Sequence, residues 1–480
     1  MKELTSLALD IAKASGATYA DIRIIERQSE SIMIKNGRVD ELATSTNYGF
    51  GIRVIANGAW GFAGSFLVER GEIERVARLA VETAKASALI APSELRFSPA
   101  PVITDSYASP VQKDPFEVSL EEKLALLSQA EETMRKTKGM SIASASMDIA
   151  RQKKVFASLE GSYIEQEITE CGAGIHAMAI AGNDIQERSY PNSHGGDSAT
   201  AGYEFIESLN LGEHAPRIAE EAVQLLSAKP CPSGELTIIL DGSQLALQVH
   251  ESCGHPVELD RVLGMEASFA GTSFLTIDKL DKLKYGSPIV NINADATIPG
   301  ALGTFAYDDE GIPAQKFDII KNGMFVGYLT SRETAPILNQ KSNGCMRADG
   351  WGRLPLIRMT NINLLPGDSS LEEMIEGVKD GLYLSTNRSW SIDDKRLNFQ
   401  FATEIGWEIK NGKLGAIIKN PNYTGITPEF WNSCDAIAGA DEWRVWGLAN
   451  CGKGEPMQVA HVAHGAAPAR FRDVKVGVGR

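Results

Sequence analysis

Cysteine is scarce in this chain: six residues in 480, at positions 171, 231, 253, 345, 434 and 451, with no CxxC pair among them. That spacing excludes a dense disulfide framework and a structural zinc finger. Long apolar runs are missing too; nothing approaches the roughly 18 consecutive apolar residues of a membrane-spanning helix. The first residues, MKELTSLALDIAKASG, carry Glu3 and Asp10 where a secretory signal would need an apolar core. Leu4, Leu7, Ala8 and Ile11 recur instead at helical spacing, which predicts an amphipathic first helix and a cytoplasmic protein with no membrane partner. Positive charge is in deficit, with 47 Lys and Arg against 62 Asp and Glu, a net charge of -15. No dense basic run or basic-aromatic stripe offsets this, so nucleic acid is not expected as a direct partner.

A hydrophobic content of 43% with 23% charged residues is that of folded globular domains, and 480 residues imply two or three of them. After the first helix, alternating runs flank Asn36-Gly37 and Asn57-Gly58, a strong hairpin signal. Residues 69–88 carry Ile73, Val76, Ala77, Leu79, Ala80 and Ala84 on one helical stripe. The stretch 90–117, with Pro92, Pro99, Pro101, Pro110 and Pro115, reads as an irregular connecting segment. A helix at 119–137, strands between 141 and 190 and a helix near 203–227 then repeat the pattern loosely. Pro230-Cys231-Pro232-Ser233-Gly234 marks the main boundary, ahead of the short apolar strand GELTIILDG. The expectation is α+β overall: an N-terminal domain over 1–228, with a sub-boundary near 90–117, and a β-rich C-terminal domain over 229–480. The second half has hairpin signals at Asn322-Gly323 and Asn411-Gly412 and one notable helix at 243–255.

That helix ends in His250-Glu251-Ser252-Cys253-Gly254-His255. Zinc hydrolases need two or three protein ligands, an open position for water and a carboxylate to take its proton. Histidines four apart share one helix face; five apart, they diverge by roughly 140° on an ideal helix. The motif works only if the last turn widens or ends. Gly254 permits unusual backbone angles and Pro256 disfavours α geometry at His255, so a π-type turn is the natural distortion. Glu251, about 100° round from His250, has the place of a general base. The bland alternative is a chance pattern on a surface helix end; the Gly-His-Pro ending favours function.

A third ligand must come from elsewhere. Cys451, in the Gly-rich stretch LANCGKG, could be held as an exposed thiolate favoured by Lys453. Cys253 reads more simply as a small packed residue. Glu258 and Asp260 suit either ligation or the orientation of the histidines. His461 and His464 lie three apart beside Gly465 and Pro468 and are expected in a turn. Gly447-x-x-x-x-Gly452-Lys453 opens like a phosphate-binding loop, but Gly454 replaces the Ser or Thr that would hold magnesium, and no helix is expected after it.

HESCGHPVELD, YDDEGIPAQKFDIIKNGMFVGYLTSRETA and NCGKGEPMQVAHVAHGAAPARFRDVKVGVG together resemble the TldD/PmbA metallopeptidases, and the TldD branch most closely, over essentially the whole chain. The resemblance implies zinc (Zn2+) on His250, His255 and Cys451, with Glu251 as the catalytic acid/base. It also implies a barrel-like C-terminal domain, small or modified peptides as substrates, and a dimer of identical subunits or with a PmbA-type paralogous subunit. Two rivals remain at this point: a non-catalytic scaffold or regulatory subunit, and a thiol nucleophile at Cys253 or Cys451 served by a histidine.

Overall fold

The computed structural model describes residues 1–90 and 95–477. Pro92 of the expected connecting segment lies outside the described residues. Helix α1 (Lys2–Ala14) buries Thr5, Ala8, Leu9 and Ala12, the stripe its periodicity indicated. Strands β1 (Tyr19–Lys35), β2 (Arg38–Ala56) and β3 (Ala59–Ser65) turn at Asn36-Gly37 and Asn57-Gly58, where every residue has positive φ. The two expected hairpins therefore share one long middle strand. Helix α2 (Arg70–Ala88) packs Ile73, Val76, Ala77 and Ala80 against that meander.

The stretch 90–117 is not wholly irregular, contrary to expectation. Residues Thr104–Ala108 form β4, an edge strand parallel to a later one, whose mostly exposed polar residues suit an edge that gains hydrogen bonds on one side only. Helix α3 (Leu120–Arg135), with Ser119 capping the Glu122 N–H, precedes β5 (Ile142–Ser158), β6 (Tyr163–Ala181), β7 (Asp184–Tyr190) and β8 (Asp197–Ala199). The expected helix near 203–227 is two: α4 (Tyr203–Ser208) and α5 (Leu211–Ser227), broken where Asn210 turns left-handed. The loosely repeated pattern is realised as two halves of one sheet, ordered β3-β2-β1-β5-β6-β4 with β7 and β8 also on β6; β1 joins the halves by pairing with β5. Each half has its own core, one under α1 and α2, the other under α3 and α5.

Strand β9 (Gly234–Leu240) leads directly into α6 (Gly242–Val249), whose N-terminus Asp241 caps through the Gln244 N–H at 2.8 Å. All eight residues of α6 are buried. Strands β10 (Asp380–Ile392), β11 (Asn398–Lys410), β12 (Lys413–Lys419) and β13 (Asn422–Ile426) follow, then β14 (Arg444–Lys453), β15 (Gln458–Ala466) and β16 (Ala469–Val476). The order β10-β9-β16-β13-β11 closes on itself where β10 pairs with β11, giving a five-stranded barrel-like ring. Strands β14 and β15 form a separate two-stranded ribbon. No helix of the described residues is long and apolar enough to cross a membrane.

Candidate metal centre

Helix α6 does not end in an ordinary turn. Residues His250–Gly254 form a π-helical turn, with the His255 N–H donating to the His250 carbonyl five residues back. That pattern brings positions five apart onto one face, as the motif requires. The local cause differs from the one the sequence suggests. Gly254 has ordinary helical angles (φ -59, ψ -58), and His255 stays helical too (φ -65, ψ -43). Glycine is needed for room: a Cβ there would meet Met359 Sδ at 2.1 Å. Pro256 acts through its missing N–H, which leaves the Ser252 carbonyl without its helical donor. The Tyr285 hydroxyl donates to that carbonyl instead, at 2.9 Å, and the Trp431 indole N–H donates to Ser252 Oγ at 2.9 Å.

The result puts the His250 and His255 rings 4.8 Å apart and nearly perpendicular. Cys451 Sγ lies 3.8 Å from His255 Nε2, and the three candidate donor atoms all fall within 4.8 Å of one another. Cys451 is not in an exposed flexible loop, as its glycines suggested. It is part of β14, paired with Ala460 and 2% exposed. The ladder skips Ala449 and Asn450 just before it, so a bulge sets where the thiol points. Burial alone would raise this thiol, but the charge of the Arg358 guanidinium works against it, and the thiol lies below its ordinary value. Lys453 is not the cause: its ammonium is held by Asp260 at 2.7 and 2.8 Å and by the Ile357 carbonyl at 2.8 Å.

Each imidazole has its outward nitrogen occupied. His255 Nδ1 meets Glu258 Oε2 at 3.1 Å, and a carboxylate there can only accept, so Nδ1 carries the proton and Nε2 faces the thiol with a lone pair. His250 Nδ1 meets His464 Nε2 at 2.8 Å, while His464 Nδ1 donates to the Ile362 carbonyl at 2.9 Å. The carbonyl fixes the tautomer of His464, whose free Nε2 must accept, and so fixes the tautomer of His250 in turn. Burial lowers His250 to about 4 and His464 well below its usual value, holding both rings neutral at pH 7. Two oriented neutral imidazoles and a favoured thiolate are a donor set that suits zinc.

The remaining candidates separate clearly. Glu251 is 5% exposed, stands outside the donor cluster and bonds through Oε2 to Arg396. Cys253 faces the core, where burial raises its thiol strongly; it is a packed neutral residue. Asp260 serves Lys453. His461 and His464 are not in a turn; both lie within β15. His461 binds Glu170 at 2.7 Å, away from the centre. Arg358 and Arg396 carried no signal in the sequence; His464 had one, its spacing, but not its fold context. The phosphate-loop-like stretch is a strand followed by a strand, with no helix N-terminus for an anion.

Comparison with known proteins gives three family-model matches: the PmbA/TldA metallopeptidase domain 1 over residues 20–84, the central domain over 113–229 and the C-terminal domain over 233–477. A metalloprotease of Methanocaldococcus jannaschii is 34% identical over 91% of this chain and 92% of its own length. A zinc metalloprotease TldD homolog of Saccharolobus solfataricus is 25% identical over 97% and 98%. Among solved structures, TldE from Thermococcus kodakarensis shares the fold with a TM-score of 0.75 at 18% identity, covering 98% of this chain and 99% of its own. A Thermotoga maritima protein named for modulation of a DNA gyrase does so with a TM-score of 0.77 at 20% identity, over 99% and 100%.

Proposed function

Because the chain belongs to the PmbA/TldD metallopeptidase family, we propose that it hydrolyses peptide bonds with zinc held by His250, His255 and Cys451 and with Glu251 as general base. The observation that carries this reading is the donor cluster itself, buried and with both histidine tautomers set by partners behind them. Bound there, zinc would supply Lewis acidity, polarising a carbonyl and acidifying water to a pKa of about 7. Glu251 takes a proton from the attacking water as its oxygen bonds to the carbonyl carbon. It then delivers that proton to the amine as the C–N bond breaks.

The four residues are each at most 5% exposed, which favours short, unfolded or modified peptides over folded proteins. An extended substrate would add alongside β14, where Ala449 and Asn450 are exposed and outside the ladder with β15. The full-length likeness to a TldE supports pairing of this subunit with a paralogous one or with itself. A cytoplasmic setting suits a site that depends on a reduced thiol.

Zinc content and peptide cleavage, measured together, test the reading. Glu251→Gln is expected to keep stoichiometric zinc while cleavage falls by about 10²–10⁴-fold. Wild-type protein without stoichiometric zinc would favour a scaffold or regulatory subunit. Inactivation by alkylation with indifference to chelators would favour a thiol nucleophile.

A further inference from the structure

Glu251 is held by one cation, and that cation comes from another part of the chain. Arg396 sits in the turn between β10 and β11 and is the donor to Glu251 Oε2. Its backbone is left-handed, with φ +63. The turn around it is tied down: the Arg396 N–H donates to the Asp393 carbonyl at 2.8 Å, and the Leu397 N–H to the Asp393 carboxylate at 2.7 Å. Thr427 Oγ1 donates to the Arg396 carbonyl at 3.0 Å, and the Phe274 N–H to the Lys395 carbonyl at 2.9 Å. A fixed backbone thus aims a long side chain at the base, and that side chain keeps 16% of its surface exposed.

The other cations close to the centre are committed. Arg358 donates to the carbonyls of Cys451 and Gln458, and Lys453 is enclosed by Asp260, Glu258 and the Ile357 carbonyl. Arg396 differs in its surroundings: its acceptor is the Glu251 carboxylate and its side chain is 16% exposed where Arg358 is 1% exposed, although the buried Nε–H of each has no acceptor among the described residues. A guanidinium has five donors in a planar fork and keeps its proton throughout a hydrolytic cycle. Its partner does not keep its charge, since Glu251 is neutralised when it takes the proton from water.

We propose that Arg396 is a further catalytic group of the hydrolysis, one that holds the Glu251 carboxylate before attack and donates to the scissile carbonyl oxygen as negative charge gathers there. The inference rests on the peptidase reading above. The water oxygen bonds to the carbonyl carbon, its proton passes to Glu251, and the carbonyl π pair moves onto oxygen, where the guanidinium N–H meets it. When the C–N bond breaks, its electron pair leaves with nitrogen, which takes the proton from Glu251. The carbonyl reforms and Arg396 returns to the carboxylate.

Full-length Arg396→Gln and Arg396→Lys proteins test this through zinc content, kcat and KM on a peptide, and affinity for a phosphinate peptide whose tetrahedral oxyanion mimics the charged carbonyl oxygen. Arg396→Gln is expected to bind zinc fully, to lose about 10²-fold in kcat with KM changed less than about threefold, and to bind the phosphinate about 10²-fold more weakly. Arg396→Lys should restore part of both losses. A kcat and a phosphinate affinity within about threefold of wild type would overturn the proposal. So would loss of zinc from Arg396→Gln, which would make the side chain a latch on the helix end. Wild-type protein lacking both zinc and cleavage would sink the peptidase reading itself, and this proposal with it.

Discussion

The imidazole of His464 contributes no atom to the donor cluster, yet it decides which nitrogen of His250 faces inward. Replacing it leaves His250 Nδ1 without its buried acceptor and frees the ring to turn. His464→Ala is therefore expected to lower zinc affinity by about 10–100-fold, read by competition with a chelating dye, while Ala at His461 leaves it unchanged. At this scale the sequence was most legible where chemistry is local: His250, Glu251 and His255 lie in six residues, and their types alone state a zinc motif. Cys451 was one candidate among several by composition, and only the family resemblance singled it out as the third. Arg396 was illegible, because its contact with Glu251 spans 145 positions and is made by a turn of unremarkable composition.

Helix α6 and its π turn show how an element can be foreseen while its cause is not. Five-residue spacing demanded a widened turn, and the structure has one. The sequence cues for it were read as backbone freedom at Gly254 and restriction at His255; both residues are helical, and the constraint lies in packing that no local pattern encodes. Met359 is fully buried against Gly254 and cannot withdraw. Gly254→Ala should consequently cost about 1–3 kcal/mol in denaturant unfolding and reduce zinc occupancy, with Met359→Ala in the same chain recovering part of both. Hairpins were easier, since Asn-Gly at 36–37, 57–58, 322–323 and 411–412 turns the chain in each case. Edge strand β4 was harder: its proline-rich flanks hid a segment whose partner lies some sixty residues on.

Across the whole molecule, the large sheet and the barrel region are joined by buried ion pairs. Arg53, held by Asp21 of its own sheet at 2.7 Å, reaches Glu310 at 3.1 Å, Lys154 pairs with Asp309 at 2.6 Å, and Arg188 with Glu404 at 2.8 Å. The stretch YDDEG, which helped carry the family resemblance, supplies two of these anions and so serves the joint. Asp197 belongs to the same joint: its Oδ1 accepts from the Gly447 N–H of β14 at 2.7 Å and from Ser198 at 2.9 Å. Burial outweighs those two donors and raises its carboxyl from 3.8 to about 7. An acid whose folded pKa is raised binds more protons folded than unfolded between those values, so its contribution to stability falls as pH rises from about 4 to about 7 and is level above. Thermal unfolding of Asp197→Asn should lack that part of the wild-type slope. Fold class was legible from alternation; which sheet meets which was not, because pairing between distant segments is set by side chains that alternate equally well against many partners.

The His255 imidazole and the Cys451 thiol are 196 positions apart, and the barrel-like ring closes only when β16 pairs with β9. During synthesis those donors can meet only after the chain has been made through Cys451, and the ring can close only after β16. A ribosome-bound fragment that carries His250 and His255 but ends before β14 therefore lacks the third candidate donor, and the donor set is complete only once β14 has been made.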